Sequence, residues 1–376
     1  MAGSVTLADV ARAADVSLAT ASRAINGSAT RTVRPELRER VLAAAAELNY
    51  LPDANAQAMA RGRTTALGLI VHDIADPYFS AIASGVGAAA ERSDLMVTLG
   101  NTQHDPEREL ALVGVLHRQR ARAIVIAGGR HDDDLMHARL GAALAAYRAG
   151  GGSVAMVSQP VLEADTVAID NVSGAADLAA ALVARGYRSF AVLAGPPGHL
   201  TARERLRGFT SGLTGGDNDA TEAEAGAPQY VVASAFTRDG GYAAMTELIE
   251  RVDLRSPEVD AVFAVNDVMA VGAMAAARDA GVRVGADVGV AGFDDIATLR
   301  DVTPSLSTVR VPLHQAGVLA TQLALGLPLS DAGHHADADR EDDPEVTTHT
   351  GEDGIRVVRV RGTVVLRDST PSRLKT

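Results

Sequence analysis

Few folds are compatible with the way this chain alternates short apolar runs with amphipathic helical segments. The runs ALGLIV, LMVTLG, AIVIAG and VAMVS are separated by segments at 78–92, 106–119 and 132–149 whose apolar residues have helical spacing. After residue 173 the pattern resumes with FAVLAG, YVVAS and AVFAVN, each followed by an amphipathic stretch. Continuous apolar strands separated by helices predict parallel sheets covered by helices on both faces.

Two sets of this pattern predict two lobes, each a doubly wound α/β unit, with a boundary near residue 160. In such units a ligand binds where the ends of the strands face a cleft. The chain, at 376 residues, is long enough for both lobes and a small additional domain. The sequence therefore predicts a cleft between the lobes as the place for ligand chemistry.

The first fifty residues have a different pattern, which is typical of a small helical domain. Thr6 and Asp9 have the spacing of a capping box and predict the start of a first helix. Asp15-Val16-Ser17 interrupts this helix, and Ser17 can cap a second one over Leu18–Ile25. Two helices joined by such a turn predict a helix-turn-helix unit, whose second helix enters the major groove of DNA. An alanine-rich helical hairpin inside an ordinary core remains the alternative interpretation.

The faces of these helices can be assigned from their periodicity. In the second helix Ala21, Ala24 and Ile25 can pack inward, whereas Leu18, Ala19, Ser22 and Arg23 are available to face outward. Pro35 predicts the start of a third helix, at a position where its missing N–H costs little. The predicted packing face of this third helix consists of Leu37, Val41, Leu42, Ala45 and Leu48.

The net charge of −12 looks unsuitable for a nucleic-acid-binding protein until it is divided along the chain. Residues 1–63 hold eight arginines against six acidic residues, about +2, which leaves about −14 for the rest. Lys375 is the only lysine among the 35 basic residues, so every candidate contact with phosphate or base is an arginine. A GC-rich genome would produce the same preference for arginine over lysine. This N-terminal segment is only mildly basic. It therefore predicts moderate DNA affinity for each copy of the segment and a need for dimerisation.

Several classes of protein are disfavoured by what the sequence lacks. It has no cysteine and no apolar run approaching 18 residues, and its start does not have the form of a secretory leader, so we expect a cytoplasmic protein with no membrane association. His131 with its neighbouring aspartates and the pair His334-His335 lie in polar sequence without a second spaced cluster, so we expect no metal site. Neither a nucleophile with a base nor a phosphate-binding glycine loop is present, so we expect no catalysis and no cofactor.

An ordered series of short motifs extends from residue 5 to residue 295. The pieces are VTLADVA at 5–11, Val16-Ser17, Thr20, Ser22-Arg23, Asn26-Gly27, ELNY at 47–50 with Pro52, DPERE at 105–109, Asp170-Asn171, Gly195-Pro196, Asn266-Asp267 and GFDD at 292–295. With these motifs the chain resembles the lactose-repressor (LacI/GalR) family of bacterial regulators over almost its whole length. The resemblance implies an α/β fold with a three-helix helix-turn-helix head and a two-lobed, periplasmic-binding-protein-like core of doubly wound parallel sheets.

The resemblance also implies an organisation along the chain. It places the DNA-binding head at 1–50, a hinge at 51–63, and an effector-binding and dimerisation core at 64–328 and 354–370, in which the chain crosses between the lobes more than once. The segment 329–353 has nine acidic residues and one arginine, so we predict a disordered insertion there. The segment Gly362–Thr370 is similar to the closing strand of the family, and no leucine heptad follows that would form a tetramer tail.

For the head, the resemblance implies which residues contact operator DNA. Leu18 and Ala19 occupy the positions that vary with operator sequence, and Arg23 contacts bases or backbone; burial within the head is the alternative for Leu18. Phosphate contacts are implied for Thr6, Ser17, Thr20, Ser22 and Asn26. The hinge residues Asn55, Ala56 and Met59 would enter the minor groove, with Met59 in the place of the usual leucine, unless the segment is a plain linker.

Two departures from the family pattern lie in the head. The loop between Asn26 and Val33 is two residues longer than usual and adds Arg31. Arg34 stands where the third helix normally has a serine cap, so the start of that helix is less well satisfied. Either change can alter phosphate contacts without removing the fold.

For the core, the resemblance implies an effector site. Its residues are Tyr78, Phe79, Arg205, Phe236, Asn266 and Asp294. Charged and amide groups with an aromatic face suit a sugar-like ligand, although core packing and a structural ion pair between Arg205 and Asp294 are alternatives. Ser158 and Gln159 replace the aspartate and the basic residue common in sugar-responsive relatives.

The function that follows from the resemblance is a ligand-responsive transcriptional regulator, and specifically a repressor that binds a pseudo-palindromic operator as a homodimer. The expected partners are double-stranded operator DNA and a small-molecule effector of the sugar or small-metabolite class. A cytoplasmic solute-binding module without a DNA function, and an enzyme with an α/β core, are the alternatives.

Overall fold

The computed structural model describes residues 5–26, 32–51, 63–214, 227–329 and 346–374. Residue contacts divide the chain into a small unit, Met1–Thr65 with Arg118–Arg122, and a large unit, Ala66–His117 with Ala123–Thr376. None of the described helices combines the length and apolar character that a membrane-crossing segment needs.

Three helices form the part of the small unit that corresponds to the predicted head: α1 (Leu7–Ala13), α2 (Leu18–Asn26) and α3 (Pro35–Glu47). The capping box at the start of α1 is present, since Thr6 Oγ1 accepts from the Asp9 N–H and the Asp9 carboxylate accepts from the Thr6 N–H. The buried core consists of Val10, Ala11, Ala14, Ala21, Ala24, Val41 and Ala44. Small alanine side chains let the three helices approach one another closely.

The starts of α2 and α3 differ in whether a side chain caps the backbone N–H groups. Ser17 Oγ accepts from the Thr20 N–H at 3.1 Å, which confirms the predicted cap of α2. Arg34 precedes α3 without any side-chain capping bond, also as predicted. The prediction that Leu42 packs inward is wrong, because Leu42 is 44% exposed and Ala44 is buried in its place. The buried stripe of α3 follows Val41 and Ala44 at a spacing of three, which turns Leu42 toward solvent.

The N-terminal lobe is built on a seven-stranded sheet with the strand order β11-β12-β5-β4-β3-β1-β2. All neighbouring strands in it are parallel except β11 and β12. The strands are β1 (Ala66–Val71), β2 (Met96–Asn101), β3 (Ala123–Ala127), β4 (Ser153–Val157), β5 (Asp165–Ile169), β11 (Val346–Thr350) and β12 (Arg356–Val360). The helices of this lobe are α4 (Pro77–Glu91), α5 (Pro106–Arg118), α6 (Asp134–Ala149) and α11 (Leu313–Leu325).

The C-terminal lobe has a four-stranded parallel sheet with the order β7-β6-β8-β9. Its strands are β6 (Phe190–Ala194), β7 (Tyr230–Ala233), β8 (Ala261–Ala264) and β9 (Gly289–Ala291). Its helices are α7 (Asn171–Ala184), α8 (Leu200–Leu213), α9 (Arg238–Arg251) and α10 (Asp267–Asp279), with a short 3₁₀ turn at Ala297–Arg300. Parallel sheets and covering helices confirm the doubly wound architecture predicted from the apolar runs.

The chain passes between the two lobes three times. The first crossing follows β5 at Ile169, later than the boundary predicted near residue 160, because β5 still pairs with β4 and β12. The second crossing leads from β10 (Thr308–Arg310) into α11, and the third leads from β12 into β13 (Thr363–Val365). The strands β10 and β13 form an antiparallel ribbon. The predicted closing strand over Gly362–Thr370 is therefore shorter than expected.

The acidic segment predicted to be disordered is structured over its last part. Val346–Thr350 forms β11, which pairs antiparallel with β12 at the edge of the N-terminal sheet. The run VTTHT is rich in β-branched residues, and the edge of β12 offers it unpaired backbone groups. Disorder over 329–353 is thus wrong for 346–350, and residues 330–345 lie outside the described residues.

Candidate functional site

Polar and aromatic side chains from both lobes line one cavity at the carboxyl ends of the parallel strands. This is the location at which doubly wound sheets bind ligands. The lining residues are His72, Asp76, Tyr78, Phe79, His104, Gly129, His199, Thr201, Arg205, Phe236, Asn266 and Asp294. Several of them directly follow a strand: His72 follows β1, and Asn266 lies just beyond the end of β8.

All six residues predicted for the effector site lie on the wall of this cavity. Phe79, Arg205, Asn266 and Asp294 are buried, whereas Tyr78 and Phe236 are half-buried. The rings of Tyr78 and Phe79 are nearly perpendicular, with centroids 5.0 Å apart. The structure thus brings together side chains that are separated by more than two hundred positions in the sequence.

Arg205 is the most constrained side chain of the site. Its Nε donates to Asn171 Oδ1 at 2.9 Å, its Nη1 to the Val265 carbonyl at 2.8 Å, and its Nη2 to Asp294 Oδ1 at 2.8 Å. The guanidinium also lies 3.9 Å above the ring centroid of Phe293. The side chain is therefore held in one orientation, and its buried ion pair with Asp294 is the structural pair that the sequence offered as an alternative.

Asp294 combines burial with an unusual backbone conformation. Burial raises the pKa of its carboxyl to about 6, against the opposing effect of the Arg205 guanidinium. Its φ of 122° lies in a region that favours glycine, and a residue held in such a region costs of order 1–3 kcal/mol. Burial likewise raises the pKa of Asp76 on the same wall. Strain and desolvation concentrated at one carboxyl are typical of a ligand-binding position.

Ser158 and Gln159 do not line the cavity, although the family pattern suggested ligand chemistry there. The Ser158 hydroxyl donates to the Gly128 carbonyl at 2.7 Å. The Gln159 amide accepts from the Arg130 N–H at 2.9 Å and donates to Thr201 Oγ1 at 2.8 Å. Gln159 therefore joins a loop of the N-terminal lobe to the start of α8 in the C-terminal lobe.

Three histidines on the wall were not predicted as site residues: His72, His104 and His199. The ring of His72 lies 5.0 Å from that of His104, and the ring of His199 stacks on Phe236 at 4.6 Å. Their position just beyond β1, β2 and β6 was the signal that could have found them. Among the described residues, no group of three or more His, Asp or Glu side chains is arranged to hold a metal ion.

The two lobes are joined directly at the edge of the cavity. His131, after β3, and His199, before α8, form an isolated antiparallel bridge. The Asp132 N–H donates to the Gly198 carbonyl and the Leu200 N–H to the Arg130 carbonyl, each at 2.8 Å. The cavity has a volume of about 30 Å³, which is small against the roughly 300–1,000 Å³ of sites for drug-sized ligands. A metabolite of ordinary size therefore requires this bridge to open or the wall to rearrange.

On the head, the outer face of α2 presents the side chains predicted to contact DNA. Ser17 and Ala19 are exposed and Leu18 is 54% exposed, so Leu18 does not belong to the core of the head. Thr20, Ser22 and Asn26 are half-exposed. The Nε of Arg23 donates to the Ala19 carbonyl at 2.9 Å, which leaves its Nη groups without a bond to the described residues.

Thr6 and three hinge residues were also predicted to contact DNA. The Thr6 hydroxyl donates to Asp9 Oδ2 at 2.7 Å, so its hydrogen is already used by the cap of α1. Asn55, Ala56 and Met59 of the hinge lie outside the described residues.

A helical head with an exposed recognition face and a two-lobed core with a cavity at its strand ends define the class of ligand-binding DNA regulators. Residues 6–53 match the model of the bacterial regulatory proteins of the lacI family, and residues 179–370 match that of the periplasmic binding protein-like domain. The chain belongs to the lacI family and is a ligand-responsive, DNA-binding transcriptional regulator.

Several relatives match over most of their length. The HTH-type transcriptional regulator GalS of Salmonella typhimurium is 33% identical over 85% of this chain and 89% of its own. The regulator CelR of Thermobifida fusca is 33% identical over 83% of this chain and 88% of its own. Among solved structures, a CelR–cellobiose complex is 27% identical with a TM-score of 0.62, covering 97% of this chain and 99% of that one. A lac repressor dimer bound to operator, 24% identical, has the same fold, with a TM-score of 0.75 and coverage of 98% and 100%.

Proposed function

We propose that this protein is a repressor that binds a pseudo-palindromic operator as a homodimer and that a small effector in the inter-lobe cavity controls this binding. The effector is a polyhydroxylated metabolite of the sugar class. The observation that carries the proposal is the convergence of Tyr78, Phe79, Arg205, Phe236, Asn266 and Asp294 on one cavity.

The chemistry of these side chains suits a ligand with several hydroxyl groups. Asp294 accepts hydrogen bonds, Arg205 donates them, and both are fixed by the buried network around them. The Oδ1 of Asn266 accepts from the Met269 N–H, while its Nδ2 makes no hydrogen bond with the described residues. Tyr78 and Phe236 supply apolar faces for C–H groups. A solved structure of the related CelR is a complex with cellobiose, which supports this class of ligand.

Control of DNA binding follows from the fact that the cavity walls belong to two lobes. An effector shifts the equilibrium between lobe arrangements only by the difference in its affinity for them. A ligand larger than this cavity of about 30 Å³ would favour a different arrangement of the lobes. We propose that this change passes to the hinge at 51–63 and alters how paired heads engage the operator.

In the head, α2 is the recognition helix of the proposal. Leu18 and Ala19 offer apolar contact to thymine methyl groups, and the Nη groups of Arg23 can bind guanine in a bidentate manner. Ser17, Thr20, Ser22, Asn26 and Thr6 contact phosphates, and Asn55, Ala56 and Met59 contact the minor groove. The same proposal assigns no catalytic role to any residue, since the chain carries a regulator's head and its relatives are regulators.

The test combines DNA selection with ligand screening on the full chain. Palindromic fragments selected from a random pool are titrated by fluorescence anisotropy, and Arg23→Ala is expected to weaken discrimination by about 1–3 kcal/mol per contact. Arg38→Ala, on the exposed face of α3, is the matched control and is expected to retain sequence preference. Sugars that raise the melting temperature are then added to the operator complex and are expected to change its affinity.

Two outcomes would replace the proposal. Sugar binding by a protein that selects no DNA sequence would identify a solute-binding module. Turnover of a bound metabolite, rather than simple thermal stabilisation, would identify an enzyme.

A further inference from the structure

The wall of the cavity carries two chemically different sets of side chains. Asp76 and Asp294 both interact with Arg205 and form one set, and His72 forms the other set with His104, whose ring it contacts, and His199, which acts on it electrostatically. We propose that the effector carries an acidic group, and that His72, His104 and His199 form the subsite that binds it. This inference rests on the proposed function, because it specifies the ligand of the same cavity.

Hydrogen-bond donors converge at the histidine set. His199 Nδ1 accepts from the Ala202 N–H at 3.4 Å, so the neutral ring carries its proton on Nε2. A Cβ added to Gly129 would collide with Thr201 Oγ1 and would lie 3.3 Å from His199 Nε2, so both atoms lie directly over this glycine. The Thr201 hydroxyl accepts from Gln159 and keeps its own hydrogen to donate. Imidazole N–H and hydroxyl donors around a glycine suit the oxygens of a carboxylate or phosphate.

Arg130 and Arg205 are the two permanent cations that act on these rings. The ionisable groups that act on His72 are Arg130, His104, His199 and His131. Those that act on His199 are His131, Arg205, His104 and Arg130. The acidic groups are Asp73, which acts on His104, and Asp133, which acts on His131. Within this set, Arg130 and Arg205 are the groups that attract an anion.

Arg130 is a buried cation, paired with Glu109, that acts on His72 and His199. It is 5% exposed, and its two Nη atoms donate to Glu109 at 2.8 and 2.9 Å. Its Nε–H is buried and has no acceptor within the described parts of the chain. An unsatisfied buried donor is uncommon in proteins, and an anion bound nearby would offset the cost of burying it.

The aspartate set excludes an acidic group and orients the ligand. Asp76 and Asp294 face the cavity, and the guanidinium of Arg205 is already bonded to Asp294. An anion beside them would be repelled by both carboxylates, whereas hydroxyl groups can donate to them. The acidic group therefore lies toward the histidines and the hydroxylated part toward the aspartates.

Proton uptake is the measurable consequence of this arrangement. Burial lowers the pKa of His72 and of His199, so both rings are neutral near pH 7 before the anion binds. A bound anion favours the imidazolium form, which converts neutral hydrogen bonds into charge-assisted ones. Affinity for an acidic ligand therefore increases as the pH falls.

The experiment uses calorimetric titration of the full chain with matched hexoses, hexuronates and hexose phosphates, and with inorganic phosphate, at about pH 6 and about pH 8. Hexuronates keep a constant charge over this range, so their pH dependence reports on the protein. We expect an acidic member to bind more tightly at the lower pH, with proton uptake that depends on His72 and His199 and is measured in buffers of different ionisation enthalpy. Uronates and phosphates as separate arms distinguish a sugar acid from a sugar phosphate.

Variants link the effect to the subsite. His199→Gln and His72→Gln are each expected to weaken binding of the acidic ligand about tenfold and to remove most of its pH dependence. His137→Gln, on α6 and away from the cavity wall, is the matched control and should leave both unchanged. Circular dichroism checks that each variant is folded.

Three results would overturn the inference. They are a neutral hexose that binds more tightly than its acidic counterparts at both pH values, an acidic ligand that binds without proton uptake, and a panel in which no acidic member binds. The proposed function fails separately, if bound ligands of every class leave operator affinity unchanged.

Discussion

At the residue scale, Arg205 and Asp294 show how one buried ion pair determines both packing and ligand chemistry. Arg205 → Met would leave Asp294 buried without its cation, and we expect the free energy of unfolding to fall by about 3–5 kcal/mol in urea titrations. The double variant with Asp294→Asn removes the unpaired charge and should recover much of this loss. Arg251→Met, which breaks an exposed pair with Glu247, is the control and should cost at most about 1 kcal/mol. A double variant no more stable than the single one would contradict the argument.

His199 gives a pH prediction whose sign follows from its environment. Burial lowers its pKa from 6.5 to about 3, so the folded state favours the neutral ring. This contribution to stability is complete above pH 6.5 and is lost progressively as the pH falls toward about 3. At about pH 5 the loss amounts to about 2 kcal/mol.

The measurement compares variants, because Asp294 acts in the opposite direction: its raised pKa adds stability as the pH falls. His199→Gln should lose less stability than the wild type between about pH 7 and about pH 5, by about 2 kcal/mol. The control His137→Gln should follow the wild-type curve. Parallel curves for His199→Gln and the wild type would show that the ring does not titrate as its burial implies.

Residues of the site were predictable to different degrees. The six effector positions followed from motifs such as GFDD at 292–295, which have fixed places in the family pattern. The histidines at 72, 104 and 199 belong to no such motif, and their positions beyond the ends of β1, β2 and β6 were the only signal for them. Asn171 could not be assigned either, since its role is to orient Arg205 from a helix distant in sequence.

At the scale of elements, the start of α3 is the weakest helix terminus of the head. Arg34 makes no capping bond, so Arg34→Ser should stabilise the first turn of α3 by about 0.5–1 kcal/mol. Hydrogen exchange at the backbone amides of α3 in the full chain measures this effect. Arg38→Ser places the same residue inside the helix, where its lower propensity should destabilise α3 by a few tenths of a kcal/mol. Equal shifts for both variants would exclude capping as the cause.

Long apolar runs such as ALGLIV and FAVLAG predicted their strands to within about one residue, because a buried parallel strand needs an unbroken apolar sequence. The short strands β9 and β10 were missed, since three residues carry too little periodicity. The edge strand β11 was hidden in an acidic segment, where composition predicted disorder. Its pairing with β12 depends on a contact that the sequence pattern does not contain.

At the scale of the whole molecule, the charge distribution separates DNA binding in the head from effector binding in the core. The chain carries −12 overall, yet residues 1–63 carry about +2, so attraction to DNA is confined to the head. This partition of charge and the presence of two lobes could be predicted from the sequence alone. It could not give the number and positions of the crossings between the lobes or the bridge between residues 130–132 and 198–200, because these depend on tertiary pairing.

A weakly basic head makes operator affinity depend on both heads of a homodimer binding at once. Each head alone has few cations to neutralise phosphates, so most of the affinity comes from the second head binding as an intramolecular step. Inserting about five base pairs at the centre of the selected operator moves the half-sites to opposite faces of the duplex. We expect affinity to fall about 10²–10⁴-fold, to that of a single half-site, in anisotropy titrations at constant salt.

The control for this insertion adds the same number of base pairs outside the palindrome, where neither the spacing nor the facing of the half-sites changes. That fragment should bind as tightly as the original operator. Because a monomeric head reads its half-site regardless of its distance from the next one, an insertion at the centre that leaves affinity unchanged would show that the heads bind independently. Such a result would exclude the dimer from operator recognition while leaving the effector cavity unaffected.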